Sequence, residues 1–143
     1  MIYKFGKLSF DAVLCFLQET DTVFQTPLSQ KVNLSEYARK LSDYSMFSYC
    51  EIEGRIVGMI SCYVNRPPVS YISNVCVRGE YQHRGVFSGM FRLLIAELKQ
   101  RGIKTVRLEV NDQNENAQEV YRHFDFVPVD RAGENSVFFE RFV

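Results

Sequence analysis

"QHRGVFSGMF", residues 82–91, passes from a polar loop into an apolar-faced helix. Gln82, His83, Arg84 and Gly85 stand directly against a helix start, where the first backbone N–H groups have no intrahelical partner. The preceding "YISNVCV", residues 71–77, reads as a strand. Beyond it Phe87, Met90, Phe91, Leu94, Ile95 and Leu98 recur at helical spacing, and Gly102 suits the helix end. Strand, glycine-bearing turn and helix aim several free N–H groups and the positive end of a helix dipole at one place, which a phosphate would fit. The loop is not a Walker A motif, since it lacks the G-K-[ST] ending. Nor is it a dinucleotide fingerprint, having one loop glycine where that pattern has three. Taken alone, a glycine turn entering a core helix explains it as well as phosphate binding does.

Outward from this stretch, the chain alternates in period. Phe10, Val13, Leu14 and Leu17 recur at i, i+3, i+4, i+7 behind Ser9, a candidate N-cap, which predicts a first amphipathic helix. Asn33 and Glu36 have capping-box spacing ahead of an apolar stripe of Leu34, Tyr37, Ala38 and Leu41, which predicts a second helix from 34 to about 43. Between them lies the loop "DTVFQTPLSQK", residues 21–31. From Phe47 two β-rich runs are joined at Glu53-Gly54-Arg55, a hairpin turn, and Pro67-Pro68 separates them from the strand at 71–77. "KTVRLEV" alternates Val106, Leu108 and Val110 with Thr105, Arg107 and Glu109, the pattern of a half-buried strand. Ala117, Val120, Tyr121 and Phe124 mark a short helix, and "FVPV" and "SVFFERF" are closing strands. This order implies a mixed sheet with helices on both faces, in which ligands sit beyond strand ends.

Composition bounds the function. The 143 residues, 46% hydrophobic with 8 tyrosines and 12 phenylalanines, fit one domain spanning 1–143 with a real core. Lys and Arg total 17 and so do Asp and Glu, so no overall field draws the chain to nucleic acid or an anionic membrane. Any anion must be bound by local geometry. Cys15, Cys50, Cys62 and Cys76 form no C-x-x-C pair and have only His83 and His123 to assist, which signals neither a metal site nor a disulfide framework. "MIYKFGKLSF" lacks the features of a signal peptide, and no stretch approaches the ~20 apolar residues that span a bilayer. The expectation is a cytoplasmic protein with reduced thiols.

"YISNVCVRGEYQHRGVFSGMFRLLIAEL" resembles motif A of the GNAT superfamily of acetyltransferases, an apolar-x-Val strand end, a short turn, then R/Q-x-x-G-x-G/A, at Val75, Val77, Gln82, Gly85 and Phe87. "LEVNDQNENAQEVYRHFDF" resembles its motif B at Asn114, Ala117, Val120, Tyr121 and Phe126. Two motifs in the right order, with a strand between them, are far more specific than either alone. Phe87 departs from the pattern's Gly or Ala, and its helical spacing with Met90 and Phe91 turns it toward the core. Asp125 replaces the glycine before Phe126, and Asp tolerates left-handed backbone better than most residues.

The resemblance implies a GNAT-like α/β (α+β) fold: a mixed, mostly antiparallel sheet, helices on both faces, splayed between the fourth and fifth strands. It implies acetyl-CoA as donor and no metal. The diphosphate would accept hydrogen bonds from backbone groups of Gln82, His83, Arg84, Gly85, Val86, Phe87 and Ser88, with the Ser88 hydroxyl as an addition, and the pantetheine arm would lie along Val75, Cys76 and Val77, with Asn114 beside it. Tyr121 would be the general acid, its phenol protonated at neutral pH, and an N–H near Val77 the oxyanion donor. From periodicity alone Tyr121 is a core aromatic and Asn114 a helix cap.

An alkyl ammonium must give up roughly 4 kcal/mol to become neutral at pH 7, so a base or water chain is expected. Ser73 and Asn74 stand where relatives carry a carboxylate, and neither is a base. Glu109 is the best candidate, although a solvated glutamate is the commoner outcome. The acceptor is expected between the first two helices and the last strands, with Phe24, Phe138 or Phe139 as wall. The loop after the first helix is also similar to GNAT members among surface-polysaccharide enzymes. Three readings stay open: an N-acetyltransferase for a small amine such as an amino sugar or amino acid derivative, a protein acetyltransferase, or a non-catalytic acyl-CoA-binding module. The chain is expected to be a monomer or a homodimer.

Overall fold

The computed structural model describes residues 1–23 and 26–143. The elements run β1 (Ile2–Gly6), α1 (Phe10–Thr20), α2 (Leu34–Tyr44), β2 (Met46–Ile52), β3 (Arg55–Arg66), β4 (Val69–Val77), α3 (Val86–Gln100), β5 (Thr105–Asn111), α4 (Glu115–His123), β6 (Val127–Arg131) and β7 (Ser136–Phe142). One seven-stranded sheet has the order β1-β2-β3-β4-β5-β7-β6. Every neighbouring pair is antiparallel except β4 and β5.

Each predicted helix forms where its apolar period lies. Ser9 caps α1, and Asn33 caps α2, whose last residue is Tyr44. Glu53 and Gly54, both at positive φ, make the two-residue hairpin between β2 and β3, the turn whose twist matches its strands. The N-terminal strand β1 is absent from the sequence expectation, which began with a helix. Tyr3 and Phe5 of β1 pack on the core, but the exposed Ile2 shares the outward face with Lys4, so in five residues the period-2 signal is blurred.

The core has two halves separated by the sheet. On one face Met90, Phe91, Leu94 and Leu98 of α3 pack on Ile60, Cys62, Ile72, Val106 and Leu108, and α4 adds the partly buried Ala117 and Tyr121. On the other, Val13, Phe16 and Leu17 of α1 and Ala38 and Leu41 of α2 cover Phe47, Met59 and Cys76. Helices therefore lie on both faces, as expected.

The splay follows from a bulge. Ser61 pairs with Asn74 but Cys62 pairs with Ile72, so Ser73 is an extra residue in β4. A bulge bends its strand and increases the local twist. β4 pairs with β5 only from Val69 to Tyr71. Past that point the edge of β4 that would face β5 is open. The bulge is tied down: the Tyr37 hydroxyl donates to the Ser73 carbonyl at 3.1 Å, and the Ser61 and Ser73 hydroxyls share a hydrogen bond of 2.8 Å.

Candidate functional site

The start of α3 lacks what the other helix starts have. Ser9 Oγ accepts from the Ala12 amide at 3.2 Å, Asn33 Oδ1 from Glu36 at 2.9 Å, and Asn114 Oδ1 from Ala117 at 3.1 Å. The α3 N-cap is Gly85, in left-handed conformation (φ 81°), and it offers no side chain. Among the described residues no group accepts a hydrogen bond from the amides of residues 86–88. The loop before them is held in shape independently. His83 is also left-handed at φ 63°, and Gln82 Nε2 donates to the Val77 carbonyl at 3.1 Å.

These amides border a cavity of about 620 Å³ lined by Val75, Cys76 and Val77 of the open β4 edge, by Gln82, His83, Gly85, Val86, Phe87 and Ser88, and by Asn114, Ala117 and Tyr121 across from them. Cys76 packs its side chain into the α1–α2 core, so it offers the cavity main chain. A groove with an uncapped helix start at one end and an unpaired strand edge along its wall can hold a chain that carries an anionic diphosphate and amide groups. Those donors and acceptors fit coenzyme A.

Tyr121 stands at the inner end. Its ring meets Phe87 edge-on at 6.2 Å and Phe126 at 5.6 Å, which fixes its direction. Burial pushes its phenol up to about 12, so the proton is held throughout the neutral range. Tyr121, together with Val75, Asn114 and Ala117, also lines a second cavity of about 390 Å³. The two spaces thus share one wall at this side chain.

The second cavity opens between the α1–α2 connection (Thr26, Leu28, Lys31) and the β6–β7 loop (Asn135, Ser136). Glu109 and Asn111 of β5 and Ser73 and Asn74 of β4 supply its floor. Arg131 clasps Asp112 with two bonds of 2.9 and 2.7 Å and holds the carbonyls of Gly133 and Glu134, which fixes the β6–β7 loop against the start of α4. That guanidinium holds the Asp112 carboxyl below the usual range. Glu109 is exposed to the cavity, and its charge adds to the burial that raises the Tyr71 phenol.

Several expected residues stand elsewhere. The Arg84 guanidinium lies over the Tyr81 ring at 5.8 Å and is not part of the cavity wall. Phe139 is fully buried in the α3-side core, and Phe138 sits under the Arg107 guanidinium at 4.4 Å, so neither lines the second cavity. Phe24 falls outside the described residues. Phe87 does turn toward the core, stacking on Phe91 at 5.7 Å, yet keeps a face on the first cavity. Asp125 adopts φ 69°, and the Phe126 amide bonds the Tyr121 carbonyl at 3.0 Å, closing α4 as glycine would. Asn111, Asn135 and Ser136 carry no sequence signal for the second cavity, because strand pairing alone brings them together.

Comparison with known proteins agrees with this geometry. The family model for "Acetyltransferase (GNAT) family" matches residues 12–126. An uncharacterized N-acetyltransferase of Methanocaldococcus jannaschii is 29% identical over 90 residues, 59% of this chain, and the match spans only 40% of that protein's length. Among solved structures, the PaiA N-acetyltransferase from Thermoplasma acidophilum in complex with coenzyme A superposes with a TM-score of 0.77 at 15% identity, covering 100% of both chains. The ribosomal-protein-S18-alanine N-acetyltransferase of Escherichia coli does so with a TM-score of 0.77 at 18% identity, covering 99% of this chain and 94% of that one. Parallel β4–β5 pairing and helices on both faces are thus the architecture of solved acetyltransferases.

Proposed function

Because this chain belongs to the acetyltransferase (GNAT) family, we propose that its single domain, residues 1–143, transfers the acetyl group of acetyl-CoA to the primary amine of a small polar molecule. The observation that carries this reading is the uncapped start of α3 facing a cavity that meets a second, polar cavity at Tyr121. Acetyl-CoA supplies an activated acyl carbon. The amides of residues 86–88 bind the diphosphate, the main chain from Val75 to Val77 orients the arm, and the walls of the first cavity exclude water.

The amine nitrogen forms its bond to the acetyl carbon as the carbon–sulfur bond breaks. The amine's proton passes to Glu109 or to water beside it, and the sulfur receives a proton from the Tyr121 hydroxyl. Burial keeps Tyr121 protonated and also weakens it as an acid. It therefore hydrogen-bonds the departing sulfur first and yields its proton only as negative charge builds there.

The wall between the α1–α2 connection and the clasped β6–β7 loop favours a compact acceptor over a protein surface. Calorimetry with coenzyme A, followed by thiol release from acetyl-CoA with a panel of small amines and an alanine-initiated peptide, tests the proposal. Binding and turnover with small amines is the expected result. Turnover with the peptide alone moves the assignment to a protein acceptor, and binding without turnover makes the chain an acyl-CoA-binding module.

A further inference from the structure

Most of the charges around the second cavity are already spent within the protein. Arg131 holds Asp112 at 2.7 Å, and Arg107, on the same face of β5 as Glu109, holds Glu140 at 2.6 Å. Asp21, at the foot of the α1–α2 connection, accepts from the amide and the hydroxyl of Ser29. The two charged residues that line the cavity are Lys31 and Glu109, and neither has an ion pair among the described residues. They come from different walls. Lys31 stands on the connection, in a turn where its own amide and that of Val32 donate to the Leu28 carbonyl at 2.9 and 3.1 Å, so its backbone is set. Glu109 lies on the strand floor, and two residues further on Asn111 pairs with Ser136 of β7, which lines the same cavity with uncharged hydrogen-bonding groups.

One unpaired cation and one unpaired anion around a cavity of about 390 Å³ complement a small molecule that carries both signs in the reverse order. An amine without an anionic group would leave Lys31 facing a second cation, which selects against it. A phosphate ester carries about −1.5 to −2 charges and overbalances a single lysine, whereas a carboxylate matches it. We propose that the acceptor is a small amine that also bears a carboxylate, an amino acid or a close analogue: its nitrogen turns toward Glu109 and Tyr121, and its carboxylate is held by Lys31, the specificity-determining residue. This rests on the acetyl-transfer reading and names the substrate class of that site. Lys31 does not border the first cavity, so the donor side is separate from it.

The test follows thiol release from acetyl-CoA with glycine, L-alanine, 4-aminobutyrate and L-lysine, each beside its carboxamide, which keeps the shape and removes the negative charge. Pairs of 1,4-diaminobutane with 4-aminobutyrate, and of 2-aminoethyl phosphate with 2-aminoethanol, complete the panel. Wild-type protein is expected to favour the best acid over its carboxamide by about fivefold or more in kcat/KM, the scale of one partly solvated ion pair with a charge-assisted hydrogen bond. Lys31→Glu turns that attraction into repulsion, so the acid-to-carboxamide ratio should fall by about 20-fold and 1,4-diaminobutane should overtake 4-aminobutyrate. Lys31→Arg should keep the wild-type order. Calorimetry should give the same coenzyme A affinity for all three proteins, which a variant damaged in its fold would not. Equal use of acid and carboxamide by the wild type, or a preference that survives Lys31→Glu, overturns the inference while turnover of the carboxamides still upholds acetyl transfer. A preference for 2-aminoethyl phosphate over every acid overturns the carboxylate assignment. Coenzyme A binding with no thiol release from any amine overturns the acetyl-transfer reading, and this inference with it.

Discussion

The two helices that face the first cavity begin in opposite ways. α4 begins with Asn114, whose side-chain oxygen takes up the Ala117 amide, and it is complete without help. α3 begins with a left-handed glycine, and the amides behind it have no acceptor among the described residues. Both starts obey the same requirement, that buried N–H groups find partners. α4 and α2 meet it in part with their own side chains, while the start of α3 has no side-chain cap. On the proposed function, the difference separates residues that hold the fold from residues that hold a substrate, and it can be probed from both sides.

The largest expected effect concerns what α4 itself presents to the ligand. Tyr121→Phe keeps the aromatic contacts with Phe87 and Phe126 but removes the proton, and should lower kcat for thiol release by about 100-fold or more, with coenzyme A affinity unchanged by calorimetry. Next is Ser88→Asp. A carboxylate in the first turn of α3 complements the free amides and should raise stability by about 0.5 kcal/mol in a denaturant melt. The same charge repels a diphosphate and should weaken coenzyme A binding at least tenfold. Opposite signs in the two measurements are what an uncapped start built for an anion demands; a loss in both would mean that the amides are already satisfied.

At α2, which borders neither cavity with its cap, Asn33→Ala should cost about 1 kcal/mol of stability and leave coenzyme A affinity as it was. The smallest effect is on pH dependence. Tyr37 and Tyr121 keep their protons to about 12 in the folded state because burial disfavours the phenolate, whereas the unfolded chain loses them near 10. The folded state therefore binds more protons in that window, and stability falls as pH rises from 10 through 12. Chemical melts of Tyr121→Phe across this range should show a shallower decline than wild type.

Local pattern carried much of the fold. The helical periods of residues 10–17 and 87–98, the caps at Ser9 and Asn33 and the Glu53-Gly54 hairpin are short-range features whose physics lies within a few residues. The uncapped start of α3 was legible for the same reason, since a glycine before an apolar stripe without a capping side chain is a local fact. β1 was not legible, because its apolar residues point to both faces and only pairing with β2 makes it a strand. Where the Arg84 side chain goes was not legible either, since only the fold brings it over the Tyr81 ring.

By itself the sequence determined the four helices, the hairpin turn and every strand but β1, and which helix start would lack a cap, because propensity, period and capping act over a few neighbouring residues. Tertiary structure alone decided that Ser73 bulges, that β4 parts from β5 after Tyr71, and that Tyr121 becomes the shared wall of two cavities. Those outcomes depend on strand register and on which side chains from distant segments reach the same point, and no local pattern encodes either.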